Sequence, residues 1–159
     1  MFEAIWNFVT GADPIWQWLA VITIGAIPYI ESYGGALLGI LAGVNPFIAV
    51  AAAIVGNLIS MYVVVYISQT VRKSIVKDKE SGRRMQKLQN WMNKFGVPGV
   101  SLLGQLALPS QLTAVALIGL GAKTRIVLLW QTTSIIIWGV LFGILAVFAL
   151  DVIIYWFAR

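Results

Sequence analysis

The chain has 159 residues, of which 60% are hydrophobic and only 11% charged, and its mean hydropathy is +0.88. Soluble domains carry about 25% charged residues, so this composition excludes an ordinary soluble domain and points to an integral membrane protein, with length for a single transmembrane domain over residues 1–159. Cysteine and histidine are absent, which excludes disulfides, thiolate nucleophiles, histidine relays and the usual zinc sites; no metal and no cofactor are expected.

In chain order, the N-terminal MFEAIWNFVTGADP has neither a basic start nor a small-residue cleavage site, so the first apolar segment is expected to insert and remain. Residues 15–33 are apolar but hold Pro28 and Glu31, and the apolar run 34–45 is only 12 residues long. A helix needs about 20 residues to cross a bilayer, and runs of about 10–14 suit re-entrant or buried segments. The expectation for 15–45 is therefore a re-entrant hairpin, entered from outside, with its tip around Pro28–Gly35. Pro46 opens a run over 46–71 long enough to span as one helix.

Residues 72–94 form a basic linker, in which Met85, Leu88, Met92 and Phe95 recur at helical spacing beside Arg83, Arg84 and Lys87. That pattern predicts an amphipathic helix at the interface. The net charge is +5, and ten of the eleven basic residues fall between Arg72 and Arg125. Basic bands beside apolar segments mark cytoplasmic margins rather than a nucleic-acid surface. Residues 95–122 are bounded by Lys94 on one side and by Lys123 and Arg125 on the other, and break at Pro109. Basic flanks at both ends predict a second re-entrant hairpin, opening to the cytoplasm. Residues 126–150 then span outward. The predicted fold is an all-α membrane protein: two re-entrant helical hairpins plus two spanning helices, arranged as an inverted repeat around an interfacial helix. Irregular backbone at membrane depth is tolerated where protein or a wet cavity covers it. Glu31 and Gln111, 80 positions apart, are each followed five residues later by Ala-Leu-(Leu/Ile)-Gly, which pairs the two proposed tips.

Glu31 is the only aspartate, glutamate, lysine or arginine between residues 14 and 71. A charge in the membrane interior is costly, about 2.5–3.5 kcal/mol on insertion scales, so it marks a functional-site candidate. A carboxyl facing a cavity can let a proton and a cation compete: protonated it is neutral and releases the cation, deprotonated it attracts one. Tyr29 and Tyr33 flank it, and aromatic faces bind organic cations. Asn57 sits mid-span and needs a partner in apolar surroundings. Gln105, Ser110, Gln111 and Thr113 cluster around the second break and are expected to face the same cavity. Serine and threonine among Gln131, Thr132, Thr133 and Ser134 are expected to bond to backbone. The glycines at 35, 39 and 43, and at 139 and 143, are expected to let helices approach closely, and the small core leads to the expectation of a homodimer. One acid without a base, metal ligands or nucleophile makes a poor active site, so an enzyme is not expected.

The run IPYIESYGGALLGILAGVNPFIAVAAAIVGNLIS, followed by KFGVPGVSLLGQLALPSQLTAVALIGLGAKTR, resembles the small multidrug export proteins, relatives of the DedA/VTT membrane-protein superfamily. The marks are Glu31 with its following glycines, Gly56-Asn57, Phe95-Gly96 and the break at Pro109, and the resemblance covers roughly residues 25–145. It implies two re-entrant hairpins packed on spanning helices in a multi-pass plasma-membrane protein. It also implies transport of small organic or cationic compounds, here with proton coupling through Glu31. The alternative is a DedA-like flippase or scramblase acting on a lipid carrier such as undecaprenyl phosphate, or on phospholipid. DedA-like proteins carry arginines around the second proline, where this chain has Gln105 and Gln111, and phosphate recognition normally uses Arg or Lys.

Overall fold

A computed structural model describes all residues except 1, 12, 14, 15, 76–82, 106, 158 and 159. Every regular element among the described residues is an α-helix: α1 (Phe2–Thr10), α2 (Gln17–Gly25), α3 (Glu31–Leu41), α4 (Pro46–Ile75), α5 (Arg83–Gly104), α6 (Ser110–Gly119) and α7 (Thr124–Phe157). Helix α1 was not anticipated, because nine residues carry too short an apolar pattern to read. The helices fall into two compact units. The first comprises Met1–Ile59 with Ile135–Arg159, the second Ser60–Ser134.

In the first unit, the expected break falls at residues 26–30, between α2 and α3. These helices have 9 and 11 residues, lengths of about 14 and 17 Å at 1.5 Å per residue. Each is about half of the 30 Å apolar thickness of a bilayer. Gly35 lies inside α3 rather than in the tip. Gly43, at φ 88°, ends α3 in a left-handed cap, with the Val44 N–H donating to the Gly39 carbonyl at 3.0 Å. Asn45 then caps α4: its Oδ1 accepts from the Phe47 N–H at 3.0 Å, and Pro46 fills the first helical position, where a missing N–H costs nothing.

Small residues hold the first unit together. A Cβ on Gly39 would lie 3.0 Å from the Ala49 Cβ, and one on Gly35 would lie 3.0 Å from the Ala53 Cβ. A Cβ on Gly25 would run into the Ala53 carbonyl oxygen, and one on Gly56 into that of Ile22. Helices α2, α3 and α4 thus meet backbone to backbone, as the glycine spacing predicts for positions 35 and 39. Gly139 and Gly143 likewise admit Ile54 and Val50 from α4 against α7. Gly43 is the exception: an added Cβ would meet nothing within 4 Å, and its role is the cap.

In the second unit, α4 runs past the expected boundary at 71 to Ile75, and part of the basic linker, residues 76–82, lies outside the described residues. The helix predicted to be amphipathic begins at Arg83 and breaks at Gly96, whose φ of 66° and ψ of −177° suit glycine alone. Pro98 follows in the first turn of the continuing segment. Of the predicted apolar stripe, Leu88 is buried, Met92 half-buried and Phe95 exposed; the Met85 side chain is outside the described set. Trp91 packs edge-on to Phe95, and the Lys94 ammonium sits 5.2 Å from the Phe95 ring centre. The second break falls between the end of α5 at Gly104 and the start of α6 at Ser110, with Pro109 immediately before α6. Gly121, at φ 97°, repeats the cap of Gly43, with the Ala122 N–H donating to Leu117 at 3.1 Å.

Among the described residues, two helices are long and apolar enough to cross a membrane, over Pro46–Gln69 and Thr124–Val152. Large apolar side chains along the second, among them Leu129, Ile137, Leu141, Leu145 and Phe148, are exposed.

Candidate functional site

The first unit places Glu31 at the first position of α3, entirely buried at 0% exposure. Its backbone explains the position. Tyr29 (φ 73°) and Glu31 (φ 53°) both occupy the left-handed region without being glycine. Such residues cost about 1–3 kcal/mol each and persist where surrounding structure over-determines them, which happens chiefly at functional sites. Here the turn is tied by the Glu31 N–H donating to the Ile27 carbonyl at 3.0 Å and the Gly34 N–H donating to Ile30 at 2.9 Å. The positive end of the α3 dipole therefore falls on the only acidic residue of the segment.

Register identifies what faces it. Gly39 meets Ala49 and Gly35 meets Ala53, so α3 and α4 run antiparallel in steps of one turn. The next step sets Glu31 opposite Asn57, which is also at 0% exposure. Ser32, buried beside Glu31, donates its hydroxyl to the Ile135 carbonyl of α7 at 2.9 Å and fixes the start of α3. A Ser32→Ala variant is expected to lose about 1 kcal/mol, because that carbonyl lacks its partner. Thermal unfolding in detergent measures it.

The two tyrosines that flank Glu31 take different positions. Tyr29 is 65% exposed, since the left-handed turn turns it outward while Glu31 is drawn in. The half-buried Tyr33 donates its hydroxyl to the Tyr29 carbonyl at 2.9 Å, which closes the strained turn, and its ring packs 5.3 Å from that of Phe142. The Tyr33 hydroxyl thus braces the break beside Glu31.

The second unit buries all four polar residues predicted there: Gln105, Ser110, Gln111 and Thr113. The Gln111 amide donates to the Ser60 hydroxyl at 3.2 Å, which ties the start of α6 to α4. Glu31 and Gln111, expected to face each other, belong to different units. Further along, Tyr62 and Thr132 hydroxyls lie 3.2 Å apart and the Gln69 amide donates to Thr124, so α4 and α7 run antiparallel. Ser134 donates to the Ser101 carbonyl at 2.8 Å and Thr133 to that of Leu129 at 2.9 Å, both backbone bonds of the kind expected for that stretch.

Sequence reading missed Ser32, Ser60, Ser101 and the burial of Gln131. One available signal was their helical spacing from the named polar residues: Ser101 lies one turn before Gln105, and Gln131 lies one turn before Ser134. Among the described residues no group of three or more acidic residues is placed to hold a metal ion. Comparison with family models, curated proteins and solved structures returns no match.

Proposed function

We propose that the chain is a small proton-coupled membrane transporter of organic or cationic compounds, with Glu31 as the carboxylate that binds substrate or proton. The observation that carries the reading is a fully buried glutamate at a strained break between two half-length helices. Soluble and scaffolding roles require neither the buried acid nor the strain. In transporters, broken helices place half-helix ends at the substrate. The exposed apolar faces of α4 and α7 support a bilayer as their solvent. Kinship with the small multidrug export proteins rests on the residues quoted above.

In this reading, α2 with α3 and the second part of α5 with α6 are re-entrant hairpins. The order helix, break, short helix, left-handed glycine cap and long helix occurs twice, which supports an inverted repeat. Topology tests it. Lys94 and Lys123 are both exposed, and the chain has no other reactive thiol. Single cysteines at these positions are expected to label from the same side of the membrane with an impermeant maleimide. Labelling from opposite sides would make residues 95–122 a span.

One observation favours the lipid-carrier alternative. An apolar groove of about 570 Å³ in the first unit is lined by Phe47, Val50, Ile54, Val140, Ile144 and Phe148, among others, and suits an acyl chain. Movement of a fluorescent phospholipid across vesicles without any ion gradient would establish that reading in place of proton coupling.

A further inference from the structure

Gln131, Gln105 and Ser101 lie within the second unit, all buried, and their side-chain polar atoms behave alike. Both the amide nitrogen and the carbonyl oxygen of Gln105, both of Gln131, and the Ser101 hydroxyl have no hydrogen-bond partner among the described residues. The bond from Ser134 to the Ser101 carbonyl holds α5 and α7 together at this level. Gln105 is the residue immediately after α5, four positions beyond Ser101, and Gln131 precedes Ser134 by one turn on the same face of α7. Ser101 and Gln131 are thus placed near one inter-helix bond, and Gln105 lies in the same unit just past the end of α5.

Their chemistry narrows what they hold. A carboxamide offers two donors and an acceptor, and a hydroxyl offers both functions. A bare cation would satisfy only the oxygens and an anion only the NH₂ groups. Buried polar groups that remain unmet are strongly disfavoured. We propose that Ser101, Gln105 and Gln131 form a binding site for a neutral group that both donates and accepts hydrogen bonds: water, or the amide or hydroxyl of a small solute. This goes beyond the role assigned to Glu31 and stands without it.

Cysteine accessibility tests the site. A thiol reacts through its thiolate, which forms where a protic polar medium reaches it. In purified protein, Gln131→Cys and Gln105→Cys are expected to react with methyl methanethiosulfonate at least about tenfold faster than Val127→Cys, which is equally buried one turn before Gln131. Rates at both glutamine positions no faster than at Val127 would overturn the proposal. If one variant fails to fold, the other carries the comparison. Acetamide and glycerol separate the two sources: slowing of the reaction identifies a solute site, and an unchanged fast rate identifies water. The readout involves neither a proton gradient nor Glu31, so its failure is distinct from failure of the transport reading.

Discussion

Glu31→Gln in proteoliposomes is expected to abolish the pH dependence of organic-cation uptake and to reduce gradient-driven uptake by about 5–150-fold, the range of a coupling free energy of about 1–3 kcal/mol. The sign follows from the chemistry. Protonated Glu31 is neutral and releases a cation; deprotonated Glu31 attracts one. Wild-type affinity for a probe such as ethidium therefore rises as pH rises on the binding side, while the glutamine variant gives a flat profile. Glutamine preserves the size of the side chain and its register opposite Asn57, so the loss is one of charge rather than of packing. Gel filtration and thermal unfolding should show a folded variant. A pH profile that survives the substitution would remove the carboxyl from the mechanism.

Gly56→Ala is the second large effect, and it acts on the fold. The new methyl would meet the Ile22 carbonyl oxygen, which is backbone and has no rotamer by which to yield. Overpacking costs about 1–3 kcal/mol where side chains adjust and more where they do not, so a loss of about 3 kcal/mol or more is expected, and with it most of the folded protein. Gly119→Ala is the control: the position is helical and an added Cβ would meet nothing within 4 Å, so the change should be neutral or stabilising by about 0.5–1 kcal/mol. Comparing the two by thermal unfolding in detergent separates close helix approach from helix propensity.

The elements were legible where proline and glycine impose them. Pro28 and Pro109 lie in the two breaks, Pro46 starts α4, and Gly96 separates the first part of α5 from the segment that follows. Those residues act through their own backbone, so position in the sequence suffices. The glycines at 35 and 43 show the limit of spacing: one admits a neighbouring helix, whereas the other supplies a left-handed cap. Glu31 and Asn57 were legible as costly polar residues in apolar runs, but their register emerges only once Ala49 and Ala53 are seen against Gly39 and Gly35. The outward direction of Tyr29 was not legible, because side-chain direction depends on a positive φ that its own sequence does not announce. Gln131 was passed over because its neighbours Thr133 and Ser134 do bond to backbone, while burial on α7 is fixed by helices distant in sequence.

Proton movement driven by a substrate gradient tests the role of Glu31 most directly. Vesicles holding the protein and a luminal pH dye, with no imposed proton gradient, receive external tetraphenylphosphonium. Exchange through Glu31 predicts luminal alkalinisation as protons leave against the entering cation with the wild type, and none with Glu31→Gln. Equal proton movement with both proteins, or cation entry through the wild type with no proton movement, would contradict the account.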